Sequence, residues 1–129
     1  MNALVNILEQ YHHENKTWLR SIDFFKGENS FLKNRLAAVV DGTTDKSFLA
    51  QAEHFQNQFI IKDEFLDELR HDVNEQEKDL SAKFLQQTLA TDTAMNQRQQ
   101  QLRTQMQYLE KEFTSLRYEF NHYLAATLQ

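Results

Sequence analysis

Apolar side chains in the first forty residues recur at alternating spacings of four and three, the heptad pattern of a helix that packs along one stripe. One row of the stripe repeats every seven residues and contains Leu4, Tyr11, Trp18, Phe25, Leu32 and Val39. The second row contains Leu8, Ile22 and Leu36, with Asn15 and Asn29 in its two remaining positions. The register continues through Gly27, so the pattern predicts one helix over residues 3–40.

The segment that follows carries stop and start signals for helices. Asp41-Gly42 predicts the end of the first helix, with the glycine in the left-handed conformation that often follows a helix C-terminus. Thr43, Thr44 and Asp45 have side chains that readily cap the N-terminus of the next helix.

Two more stripes predict helices over residues 45–87 and 92–127. The second stripe contains Phe48, Ala52, Phe55, Phe59, Leu66, Leu69, Val73 and Leu80, interrupted by Lys62 and Gln76. The third contains Met95, Gln99, Leu102, Met106, Leu109, Phe113, Leu116, Phe120 and Tyr123. The register slips by one position between them, and the sequence TLATDT predicts a turn near residues 88–92.

Three helices of similar length with short connections predict an all-α fold, an antiparallel up-down-up three-helix bundle in one domain over residues 1–129. The absence of proline and the presence of only two glycines agree with a few long helices. An alternative is a four-helix bundle, which would form if the first helix broke at Gly27. Polar residues at stripe positions are typical of bundles that give up some stability to fix register, although bundle edges also tolerate them.

Composition limits the classes of partner and the compartment. The chain has no cysteine, which excludes disulfides and thiolate sites and fits a reducing compartment. It has no long apolar run and no signal-peptide pattern, so we predict a cytoplasmic protein without membrane contact. The net charge is −5, and residues 45–90 hold ten acidic against five basic side chains. This acidic middle, centred on residues 63–79, disfavours binding to nucleic acid.

Three Glu-x-x-His pairs are candidate metal ligands: Glu9–His12, Glu68–His71 and Glu119–His122. The spacing resembles that of ferritin-like bundles, which use it to hold two iron or manganese ions. A hemerythrin-like site is the other metal interpretation, suggested by His71 and Glu75 together with His12, His13, His54 and His122. The predicted registers place every pair off the stripe and at different heights along the rod. We therefore predict no metal and no cofactor, and keep the metal-binding bundle as the alternative.

Apolar residues outside the stripes give the leading functional hypothesis. They are Phe24 and Phe31 in the first helix, Ile60, Ile61 and Phe65 in the second, and Tyr118 in the third. Either wide stripes bury some of them at flanking positions, or they form a contact with another chain. No phosphate-binding glycine loop or buried carboxylate pair indicates catalysis. We predict a non-enzymatic, self-associating homodimer that acts as a protein-interaction or structural module.

Overall fold

The computed structural model describes residues 3–86 and 92–127, with side chains from 7–86 and 92–126, and contains three long helices. These are α1 (Ala3–Val40), α2 (Lys46–Leu85) and α3 (Thr93–Thr127), and they confirm the predicted three-helix bundle. Helix α1 passes through Gly27 without a break, so the chain does not adopt the four-helix alternative. Residues 87–91, which include most of the predicted turn and the last predicted position of α2, lie outside the described residues, as does the side chain of Leu4.

The helices run up, down and up, as contacts between residues distant in the sequence show. Three of these contacts are His12 with Glu77 between α1 and α2, Phe59 with Phe120 between α2 and α3, and Phe25 with Phe113 between α1 and α3. The start of α1 thus meets the end of α2, whereas α1 and α3 run in the same direction. One end of the rod contains the turn between α1 and α2. The other end contains the start of α1, the end of α2 and the start of α3.

The core follows the predicted stripes. The buried residues of α2 are Phe48, Ala52, Phe55, Phe59, Lys62, Leu66, Leu69, Val73, Gln76 and Leu80, the same ten positions as the second stripe. Every residue of the third stripe is buried, and Leu124 joins them. In α1, Tyr11, Phe25 and Val39 are half-buried, while the other described stripe positions are buried. The heptad therefore predicts the facing side of each helix.

Helix α1 ends at the expected residues, but not by the expected conformation. Gly42 does not adopt the left-handed conformation predicted for it. Instead, the Gly42 amide donates to the Val39 carbonyl over 3.2 Å and the Thr43 amide donates to the Val40 carbonyl over 3.3 Å. These tightened i to i−3 hydrogen bonds satisfy carbonyls that lack helical partners, so the left-handed glycine is not required.

The predicted capping segment starts α2. The Asp45 side chain accepts hydrogen bonds from the backbone amides of Ser47 and Phe48, at 2.9 and 3.3 Å. Thr43 Oγ1 accepts from the Asp45 amide at 3.2 Å. The cap satisfies amides at the helix start that have no partner within the helix.

Candidate functional site

The three Glu-x-x-His pairs do not assemble into a common site. Glu9, Glu68, His71, Glu119 and His122 are all exposed on the outside of the rod. Within the described residues, no group of three or more His, Asp or Glu side chains is arranged to hold a metal ion. The geometry therefore offers no support to the ferritin-like or hemerythrin-like interpretation.

Two histidines of these pairs have other contacts. His12 is half-buried, and its Nδ1 lies 2.7 Å from Glu77 Oε2 on α2. His122 Nε2 lies 2.9 Å from the hydroxyl of Tyr118, one turn earlier on α3, and the two rings are 4.7 Å apart. One histidine thus joins two helices of the bundle, and the other stays on the surface of its own helix.

The outer side of α1 carries the first two predicted interface residues. Phe24 and Phe31 are 56% and 61% exposed, and they lie two helical turns apart on the same side of α1. Gly27 lies between them, and a Cβ added there would meet no atom within 4 Å. This side of α1 is therefore an aromatic surface with a shallow gap at its centre.

The other predicted interface residues lie elsewhere on the rod. Ile60 and Ile61 of α2 are exposed, and Ile60 borders a groove between α1 and α2 that also contains Leu36. Phe65 is half-buried, and its ring lies 6.2 Å from that of Tyr108 on α3. The six residues are thus distributed over several sides of the bundle rather than in one patch.

Tyr108 is a surface residue that the stripe analysis missed, although it is 55% exposed and contacts Phe65. It directly precedes the stripe residue Leu109, at a flanking position of α3. Counting aromatic residues at flanking positions would have identified it together with Phe65.

Three buried amide side chains form a polar layer across the bundle. Asn15, Gln76 and Gln99 come from α1, α2 and α3 respectively, and each is at most 1% exposed. Gln76 Nε2 donates to Gln99 Oε1 over 3.0 Å, and Gln99 Nε2 donates to Asn15 Oδ1 over 2.9 Å. The stripes predicted these positions as core positions, and the structure shows that the three side chains bind one another.

Charged groups at the edges fix the orientation of this polar layer. Asn15 Nδ2 donates to Glu77 over 2.9 Å, and Gln99 Nε2 also donates to Glu14 over 3.0 Å. Glu14 receives two further hydrogen bonds from the Arg103 guanidinium, each 2.7 Å long. Burial raises the pKa of Glu14, but the hydrogen bonds from Arg103 and Gln99 lower it by more, so its pKa lies below the ordinary value.

A second polar contact joins α1 to α2. The buried Asn29 donates to the Phe59 carbonyl and to Asp63, each over 2.9 Å. Lys26 and Lys33 also pair with Asp63. Burial raises the pKa of Asp63, whereas the Lys33 and Asn29 hydrogen bonds and the charge of Lys26 lower it by more, so the net shift is downward. The carboxylate therefore stays ionised among three α1 side chains.

The groove between α2 and α3 contains a cavity of about 240 Å³ next to the polar layer. Its rim includes Asp72 and Glu75 on α2 and Gln105 on α3, and buried Gln76 contributes to its wall. A smaller cavity continues along the groove past Glu68 to Phe65. The groove thus joins an acidic segment to an aromatic one.

Comparisons with protein-family models, with curated protein sequences and with solved structures find no match to this chain. Among the described helices, no stretch is both long enough and apolar enough to cross a lipid bilayer.

Proposed function

We propose that this chain is a non-enzymatic helical bundle that self-associates as a homodimer in the cytoplasm and docks a protein partner. The observation that carries the proposal is the exposed pair Phe24 and Phe31 on α1. Exposed clusters of large apolar side chains are typical of interaction surfaces, because each fully buried aromatic ring removes a large apolar area from water. The bundle core does not bury this pair, since other residues occupy the stripe positions of α1.

The shape of this surface suits a second α1 helix. In a two-fold symmetric dimer the same patch faces itself, so each Phe24 and Phe31 meets apolar surface of the other copy. The open space outside Gly27 lets a facing helix approach closely at the centre of the contact. A thin three-helix rod also encloses little interior of its own, and pairing adds buried apolar surface.

Charge favours α1 over α2 as the self-association surface. The exposed residues of α2 include Glu64, Glu68 and Asp72, so an α2-to-α2 contact would bring carboxylates of two copies together. The same acidic surface suits a different role, the selection of a protein partner with a basic surface. Ile60 and Ile61 supply the apolar part of that second contact.

Light scattering coupled to size exclusion tests the proposal directly. We expect the mass of a dimer for the wild-type chain and the mass of a monomer for Phe24→Ser/Phe31→Ser, with unchanged helicity by circular dichroism. Tyr118→Ser is the matched control, since it also removes an exposed aromatic side chain but from α3. A wild-type monomer at all concentrations, or a dimer that both variants preserve, would contradict the assignment of this surface.

A further inference from the structure

A groove between α1 and α2 opens beside the turn that joins them. Its volume is about 620 Å³, and its wall includes Leu36, Ala37 and Val40 from α1 and Leu49, Ala52 and Ile60 from α2. Val40 and Leu49 are half-buried and pack against the buried cluster that contains Phe55 and Phe59. The apolar wall of the groove is therefore continuous with the core. Ala37 and Ala52 contribute only a methyl group each, so the groove stays open between the two helices.

Toward the middle of the rod, ion pairs close the same edge between α1 and α2. Lys26 and Lys33 of α1 pair with Asp63 of α2, and farther along the rod Arg70 pairs with Asp23. The open part of the edge runs along residues 33–41 of α1 and 49–60 of α2. At 1.5 Å per residue these segments are about 12 and 17 Å long. The groove is therefore an apolar opening of limited length at one end of the bundle.

Two acidic side chains border the groove from opposite sides. Asp41 of α1 and Glu53 of α2 are both exposed. Neither has an ion pair among the described residues. The one cation in the described wall, Lys33, is already paired with Asp63. The groove thus combines apolar walls with uncompensated negative charge, which is complementary to an apolar segment that carries basic side chains.

The backbone around the groove determines which conformation such a segment adopts. The groove lies between two α-helices, whose backbone groups hydrogen-bond within each helix, and the last carbonyls of α1 accept from Asp41, Gly42 and Thr43. An extended peptide would find no strand edge to pair with, so its own backbone groups would lose their partners on burial. A helix satisfies these groups internally and packs into the groove between two helices as a member of a bundle does. The length of the groove corresponds to about two to three helical turns.

We infer that the α1–α2 groove beside the turn binds a basic amphipathic helix of a protein partner. The apolar stripe of that helix packs between Ala37 and Ile60, and its basic side chains pair with Asp41 and Glu53. The inference rests on the proposed docking of a protein partner, to which it adds a place and a chemistry. It does not depend on self-association, because neither Phe24 nor Phe31 borders the groove.

Fluorescence anisotropy of a labelled peptide, titrated with the full chain at physiological ionic strength, tests the inference. The probe is a stapled helix of about four turns, with leucines in one stripe and lysines on its other sides. We expect saturable binding at one site per chain. Two control peptides should each bind about tenfold more weakly or less. One has the same composition with the leucines distributed around the helix, and the other has glutamate in place of every lysine.

Two neighbouring alanines of α1 provide matched variants of the groove. Ala37 and Ala38 are both exposed, but only Ala37 borders the groove. Ala37→Trp should weaken binding of the leucine–lysine peptide by about tenfold or more, because the indole occupies the space that the leucine stripe needs. Ala38→Trp should bind the peptide as the wild type does. Circular dichroism checks that both variants keep the helicity of the wild type.

A second pair of variants separates the groove from general attraction to an acidic protein. Asp41→Asn/Glu53→Gln should weaken binding by about tenfold, because it removes both carboxylates that border the groove. Glu64→Gln/Glu68→Gln changes the net charge equally at exposed positions of α2 outside the groove, and it should bind nearly as the wild type does.

The outcomes distinguish this inference from the proposed self-association. A chain that is monomeric but binds the peptide in the groove would contradict self-association and support the inference. Absence of saturable binding, or equal weakening within either matched pair of variants, would overturn the inference. Binding that survives Ala37→Trp but is lost in Phe24→Ser/Phe31→Ser would also overturn it, because the docking surface would then be α1. A dimer that Ala37→Trp dissociates and Ala38→Trp preserves would overturn it too, because a second copy would then occupy the groove.

Discussion

The two ends of the rod are built from different chemistry. At the end that contains the α1–α2 turn, aromatic rings fill the core: Phe48, Phe55, Phe59, Phe113, Phe120 and Tyr123 belong to one buried cluster. At the opposite end the apolar cluster has Leu8, Leu80 and Met95 as its buried members among the described residues, and the amides Asn15, Gln76 and Gln99 lie next to it. One end is packed with large rings, whereas the other is held by hydrogen bonds.

The two ends of the bundle contribute differently to its stability and to its register. Aromatic burial supplies free energy but is tolerant of small shifts, because it is largely non-directional. Hydrogen bonds between buried amides contribute less net energy, but any other alignment of the helices leaves polar groups unpaired. The aromatic end therefore supplies more of the stability than the polar end does, and the polar end restricts the register.

The largest expected effect is at the aromatic end. The Phe120 ring lies 5.4 Å from that of Phe55 and 5.1 Å from that of Phe59. Phe120→Ala should lower the free energy of unfolding by about 3–5 kcal/mol, because it leaves a cavity among these rings. Urea denaturation measures the loss. Met95→Ala, in the small cluster at the other end, should cost less, and an equal or larger cost there would break the contrast between the ends.

A single change in the polar layer should have the next largest effect. Gln99→Leu removes the donor to Asn15 Oδ1 and one of the two acceptors of Gln76 Nε2, and we expect a loss of about 1–3 kcal/mol. Replacing Asn15, Gln76 and Gln99 together by leucine should recover this loss, since no layer amide remains unpaired, while the helices gain alternative alignments. Urea denaturation and the dispersion of amide NMR signals measure the two effects. A triple variant that is less stable than Gln99→Leu would contradict this account.

The pH dependence of stability tests the charged edge of the polar layer. Burial raises the pKa of Glu14 in the folded chain, but the hydrogen bonds from Arg103 and Gln99 and the charge of Arg103 together lower it by more. A lowered pKa stabilises the fold above the unfolded-state value, and this stabilisation is lost as the pH falls through the folded-state value. The free energy of unfolding should therefore decrease as the pH falls below about 5, and less steeply for Glu14→Gln. Glu53→Gln, at an exposed position of α2, is the control that removes one carboxylate outside the polar layer.

Surface ion pairs should have the smallest effect at either end. Arg98 and Asp79 join α2 to α3 near the polar layer, but both side chains are nearly half exposed. Arg98→Ala should change the free energy of unfolding by less than about 1 kcal/mol, and added salt should reduce the difference further. A clearly larger loss would mean that the cation also supports the buried amides nearby.

The heptad predicted most of the fold because a long helix turns the same positions toward its neighbours every two turns. Each position of the second stripe is buried, including Lys62 and Gln76. The backbone conformation of Gly42 could not be predicted in this way, since it depends on how the last carbonyls of α1 find donors. The heptad also did not predict the burial of Leu124, next to Tyr123.

The geometry of the candidate sites could be predicted less completely from the sequence than the fold. Exposure of Phe24 and Phe31 follows from their off-stripe positions, but the separation of Ile60 and Phe65 into different grooves depends on the rotation of each helix in the bundle. The orientation of the amide layer requires knowledge of the donor and acceptor facing each side chain. Residue types alone do not give it, so the direction of each hydrogen bond in the layer was not predictable.

The mobility of a nitroxide label beside the α1 aromatic surface tests the central claim most directly. The chain has no cysteine, so Asn34→Cys provides a single attachment site one turn after Phe31, and Asn57→Cys provides an exposed control on α2. If this surface joins two copies, the label at residue 34 should be immobilised at high protein concentration and mobile after dilution or in the Phe24→Ser/Phe31→Ser background. The label at residue 57 should remain mobile throughout. Equal and unchanging mobility at both positions would contradict the account.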